Sequence, residues 1–177
     1  MTKKVFVSLA VWALCAALAF APALAETRQG VIYLEGMEEA IEETFYVSPQ
    51  GFSFWYASEG LKAEFGTVDD MEGAIVSSIY TGDYMVLSRI SEEEALVCTK
   101  DLNVDIREQA AKERVQVEVY ENMENFTVHF CTLIAENGNY LRAVGVYPME
   151  AADGLAKYFQ RVLDTVEFGD ISTPDAQ

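Results

Sequence analysis

The feature that most constrains this chain is the dipeptide Asn137-Gly138, set between two runs rich in aromatic and β-branched residues, Phe126–Ala135 and Tyr140–Tyr147. In a type I′ turn both central residues take positive φ, which asparagine and glycine accept, and that turn matches the twist of paired strands. A two-residue turn also fixes the register. Glu136 then opposes Asn139, while Ile134, Thr132, Phe130 and Val128 oppose Leu141, Ala143, Gly145 and Tyr147 on one face. The other face carries His129, Cys131, Leu133, Arg142, Val144 and Val146. Both faces are largely apolar, which places the hairpin in the middle of a sheet with material packed on each side.

After the hairpin the apolar period changes from strand-like to helical. Pro148 presets φ for a first helical position, and Leu155, Tyr158, Phe159 and Val162 recur at helical spacing through Leu163. Glu150 and Asp153 near the start, with Lys157 and Arg161 toward the end, suit the helix dipole. Gly154 falls inside this helix as its weak point. Val166–Phe168 follows as a short strand.

Upstream, Pro49-Gln50-Gly51 is a turn, and Phe52-Ser53-Phe54-Trp55-Tyr56 reads as a strand with Phe52, Phe54 and Tyr56 on one face. Trp55 lies on the other face. There it is either covered by a helix or exposed as a surface for a partner. Leu61, Ala63 and Phe65 alternate with Lys62 and Glu64 as a further strand, and Ile75–Tyr80 and Tyr84–Ile90 flank Thr81-Gly82-Asp83 as a second hairpin. Ser91 and Glu94 form a capping box that opens a helix carrying Ala95, Cys98 and Leu102 on its apolar side. Ile106–Arg114 reads as another helix, and Val115, Val117 and Val119 as the strand leading into the main hairpin.

Nearer the start, Val31–Leu34 is a short strand, and Glu38–Val47 fits both helix and strand templates and is read as strand. Its acids Glu38, Glu39, Glu42 and Glu43 read as a solvated face, since nothing in their spacing gives metal geometry. Seven to nine strands, two-sided and interrupted by two or three helices, predict an α/β fold of the α+β kind. The expected architecture is a single-domain α/β/α sandwich with a mainly antiparallel sheet.

Residues 1–25 read as a bacterial Sec-type signal peptide: Lys3 and Lys4, an apolar run, then Ala23-Leu24-Ala25 before Glu26, with cleavage between Ala25 and Glu26. Cys15 leaves with it. The domain then covers residues 26–170, and 171–177 form a frayed tail. Without the signal the chain has ten bases against twenty-nine acids. Such a chain repels nucleic acid and anionic lipid surfaces, while polycations and divalent ions stay open as partners. With no second transmembrane run after the signal, stable membrane insertion after its removal is not expected. The expected location is periplasmic or secreted. The sequon Asn125-Phe126-Thr127 matters only in a eukaryotic secretory pathway.

Two cysteines remain, Cys98 and Cys131, in a compartment where disulfides persist. Two assignments are open: a disulfide, or two buried free thiols. No CxxC motif supports redox catalysis or zinc.

The order of elements resembles the Mog/PsbP-like group, on the aromatic strand Gly51-Phe52-Ser53-Phe54-Trp55-Tyr56 after a short N-terminal strand and on the closing strand–helix–strand of Tyr140–Tyr147, Pro148–Thr165 and Val166–Phe168. Ala57 stands where many relatives have proline. The resemblance implies a three-layer α/β/α fold and a binding or accessory role, because members of that group mostly bind other proteins, sometimes with metal ions, and share no catalytic site.

An enzyme reading rests on His129, the only histidine, which with Cys131 two residues on makes a Cys–His pair on one strand face. No G-x-S-x-G, phosphate-binding glycine loop or H-E-x-x-H accompanies it. The stronger expectation is a non-catalytic binding module without a cofactor, meeting a protein partner in the cell envelope. A carrier of a small apolar ligand is the remaining class.

Overall fold

Asn137 and Gly138 take φ of 49° and 77°, the positive pair that a type I′ turn needs. These values come from a computed structural model, which describes residues 26–34, 36–102, 104–151 and 154–169. The turn joins β8 (Thr127–Glu136) to β9 (Asn139–Pro148), and the register is the expected one, from Glu136 opposite Asn139 to Val128 opposite Tyr147.

The described strands form two antiparallel sheets. The larger runs in the order β4 (Leu61–Val68), β5 (Met71–Ser78), β6 (Tyr84–Ile90), β9, β8 and β7 (Val115–Glu124). The hairpin is therefore flanked by a strand on each side. The smaller runs β1 (Thr27–Leu34), β2 (Met37–Ser48), β3 (Phe52–Ala57) and β10 (Glu167–Phe168). Three α-helices are described beside the sheets: α1 (Glu92–Thr99), α2 (Ile106–Ala110) and α3 (Leu155–Asp164).

The main core lies on the sheet face that carries Val128, Phe130, Ile134, Leu141, Ala143 and Tyr147. Against it pack Ile32, Ile41, Phe52 and Phe54 of the smaller sheet and Phe159, Val162 and Leu163 of α3. Phe159 sets its ring 6.1 Å from that of Phe130 and 6.4 Å from that of Tyr147. The opposite face of the larger sheet is covered at one end, where Ala95 of α1 and Ile106 and Ala110 of α2 meet Leu133, Ala135 and Tyr140.

The expected α/β/α sandwich, and the three-layer fold implied by the resemblance, are overturned. Strand accounts for 58% of the described residues and helix for 19%, so the fold is mainly β with two sheets. The reason lies at the turn Ser58-Glu59-Gly60. The expected single sheet would hold β3 and β4 together, but β3 pairs with β2 and β10 while β4 pairs with β5. The layer over the core face is thus mostly a second sheet.

Three smaller expectations also change. Pro148 is the last residue of β9, opposite Thr127, and a 3-10 turn over Met149–Ala151 intervenes before α3. Proline fits a strand end, where its missing N–H leaves no ladder bond unmade. Gly154 is the N-cap of α3, outside its interior, and so carries no interior-glycine cost. Leu102 lies beyond the end of α1. The signal segment with Ala25, and the tail from residue 171, lie outside the described residues, whereas Glu26 is exposed and its carbonyl accepts from the Phe45 N–H at 2.8 Å.

Candidate functional site: a cavity at the free edge of β2

β2 outruns its partner. β1 pairs with it from Met37 to Thr44, but β3 reaches only Glu43–Ser48, because the chain turns away after Ala57 into the other sheet. Gly60, with φ 97°, makes that turn possible without Cβ strain. Met37–Glu42 is therefore paired on one side only among the described residues, apart from the Glu42 carbonyl, which accepts from Ser58 N–H at 2.9 Å.

That free edge opens into a cavity of about 470 Å³. Its floor is apolar, from Ile41, Ala57 and Leu61, and one wall is the start of α3, with Leu155 and Tyr158. Tyr80 and Thr81 of the β5–β6 turn close another side. Glu39, Glu42 and Glu59 also line it, all three are exposed, and none forms an ion pair among the described residues. Burial raises the pKa of the Tyr158 hydroxyl, and the charges of Glu39 and Glu59 raise it further. Their combined field favours a cation. No group of three metal-ligating side chains converges among the described residues.

One of the four acids read as a solvated face is nothing of the kind. Glu43 is 0% exposed and is held by two arginines: Arg28 Nε donates at 2.8 Å, and Arg161 donates from Nε at 2.7 Å and Nη2 at 3.1 Å. Gly30 makes room for the carboxylate, since a Cβ there would stand 2.3 Å from the Glu43 Cδ. Burial works to raise the Glu43 pKa, but hydrogen bonds and charge from Arg161 and Arg28 outweigh it, and the net shift is downward. The clamp ties β1, β2 and α3 together. Its sequence signal was the two-residue step from Ile41 to Glu43, which places both on one strand face.

Trp55 is half-buried, covered by other means than a helix face. Arg28 lies over its ring, with Cζ 4.1 Å from the centroid, and Phe45 packs beside it at 4.8 Å. Thr165, just after α3, accepts from the Trp55 N–H at 3.0 Å. Trp55 thus belongs with the Glu43 clamp and does not line the cavity.

His129 and Cys131 do share a face of β8, opposite Val146 and Val144. His129 is half-buried and makes no side-chain hydrogen bond among the described residues. Burial pushes the Cys131 thiol up to about 11, with Cys98 adding to the shift and Arg142 opposing it. A thiol held there stays protonated at neutral pH, which is unsuited to a nucleophile. Cys98 is half-buried on α1, and both cysteines are thiols in this structure.

Fold and site together define a mainly β protein with an acidic, partly apolar cavity beside an unpaired strand edge. Comparison with known proteins gives no match, neither to a family model nor to a curated protein. Nothing in these comparisons identifies the Mog/PsbP-like group. No helix among the described residues is long and apolar enough to cross a membrane.

Proposed function

We propose that this protein is a non-catalytic binding module, exported to the cell envelope, that takes up an extended basic segment of a partner protein. The observation that carries this reading is the coincidence of a free strand edge, Met37–Glu42, with a cavity lined by Glu39, Glu42 and Glu59. An added strand satisfies the edge amides and carbonyls, and alternate side chains then enter the cavity. Lysine and arginine suit it best, with their alkyl stems on Ile41 and Leu155 and their charge among the carboxylates. Against the hydrolase reading stand the protonated Cys131 thiol and the unpartnered imidazole of His129.

The test uses a fluorescent peptide of alternating lysine and valine, with a glutamate–valine peptide as control. The basic peptide is expected to bind, to weaken with salt, and to protect the amides of Met37–Glu42 from hydrogen exchange. Combined Glu39→Gln, Glu42→Gln and Glu59→Gln should reduce affinity roughly tenfold or more, at under 1 to about 1 kcal/mol for each exposed pair lost. Binding without protection of that edge would be diffuse attraction to an acidic protein, and would sink the proposed site.

A further inference from the structure

Arg142 lies on the face of the larger sheet that α1 and α2 cover only in part. Beyond their cover this face sinks into a second cavity, of about 290 Å³, on the opposite side of the sheet from the main core. Most of its wall is apolar: Val86 and Val144 from the central strands, Val68 and Met71 from the ends of β4 and β5, and the ring of Tyr84. Arg142 is the only base among the lining residues.

In a chain where acids outnumber bases by twenty-nine to twelve, an arginine with no carboxylate in ion-pair contact needs an explanation. Arg142 forms no ion pair among the described residues. Its Nη2 donates only to the thioether of Met71, at 3.5 Å, and a thioether is a weak acceptor. Its Nε is shut off from solvent and has no acceptor. Asp69 and Asp70 line the same cavity, yet neither comes within ion-pair distance, and Asp69 instead accepts from the Tyr84 hydroxyl at 3.0 Å. The Glu94 carboxyl feels the Arg142 charge from α1, but it too stays beyond ion-pair distance and is held by Ser91 in the capping box.

A guanidinium whose Nη2 has only a thioether for an acceptor, beside an apolar hollow, calls for an acceptor that is planar, singly charged and attached to an apolar body. We propose that this cavity binds an organic carboxylate with a short aliphatic chain. The carboxylate accepts from Arg142, and the chain lies against Val68, Met71, Val86 and Val144. A doubly charged phosphate fits less well, because the cavity supplies no second base and holds two aspartates. The site is independent of the β2 edge.

The experiment is calorimetric titration of hexanoate into the purified protein, with hexanol and hexylamine as neutral and cationic counterparts. A short peptide ending in a free valine carboxylate, and the same peptide as its amide, are titrated in parallel. Saturable binding of an acid, with the alcohol, amine and amide silent, is the expected result. Binding of hexanoate assigns the site to a free acid, and binding of the peptide acid alone assigns it to a chain terminus. Arg142→Gln should weaken the acid about tenfold or more, and Arg142→Lys should recover part of that loss. Absence of binding by either acid, equal binding of hexanol, or undiminished binding to a folded Arg142→Gln protein overturns the proposal. The comparison of acid with alcohol uses the unaltered chain, so it decides even where a variant does not fold.

Discussion

Glu43 is the residue on which the small sheet and α3 depend together, because one fully buried carboxylate answers two guanidiniums. Glu43→Ala leaves two partly exposed guanidiniums, Arg28 and Arg161, without their shared acceptor, and a loss of about 2–3 kcal/mol is expected in urea unfolding. The pH dependence follows from the downward shift. A carboxyl depressed in the folded state stabilises above its unfolded value, here near 4.5, and that stabilisation is lost as pH falls through the folded value. Stability should therefore decline on acidification below about 4.5, and Glu43→Gln should flatten that part of the decline. Gly30→Ala tests the same clamp from the other strand. Its methyl group would displace the carboxylate, so it should destabilise the native chain but cost much less in a Glu43→Ala background, as a double-mutant cycle would measure. At this scale the sequence was partly legible. Alternation put Glu43 on the Ile41 face, but its two arginines come from 15 residues before and 118 after, and no local pattern reports such partners.

Among the elements, the β8–β9 hairpin was readable down to its register, since the positive φ of Asn137 and Gly138 is a local property of those residues. The capping box at Ser91 was equally local, and both of its hydrogen bonds form. The start of α3 was not. Pro148 suits a helix start as well as a strand end, and pairing with Thr127 decided between them. The other end of α3 is held by Arg114, whose guanidinium donates to the carbonyls of Leu163 and Val166. Phe159 sits where the helix meets the larger sheet, against Phe130 and Tyr147. Phe159→Ala should cost about 3–5 kcal/mol in chemical denaturation, because a ring-sized void between helix and sheet cannot close without moving both. A loss below about 1 kcal/mol would mean that α3 contributes little to the core.

For the whole molecule, the division into two sheets governs both stability and function. The centre of the larger sheet, β6, β9 and β8, has a strand on either side, whereas β1, β4 and β7 are edges. Native-state hydrogen exchange should show the slowest amides in β8 and β9, and faster exchange in β1 and along Met37–Glu42. Uniform protection across both sheets would contradict this division. The same division creates the candidate site, since β2 has a bare edge only because β3 ends at Ala57 and the chain leaves for the other sheet.

The sequence by itself determined the local units: the Asn137-Gly138 hairpin and its register, the apolar stripe of α3, the cap of α1 and the strong excess of acid over base. Each follows from neighbouring residues, through turn conformation, periodicity or composition. Tertiary structure alone decided which strands share a sheet, that Glu43 is buried while Glu39 and Glu42 face a cavity, and that Arg142 has no carboxylate partner among the described residues. Those outcomes rest on contacts between distant parts of the chain, such as β10 with β3 and Arg161 with Glu43. A strand's own pattern shows which of its faces is apolar, but it does not name the strand or helix that will cover it.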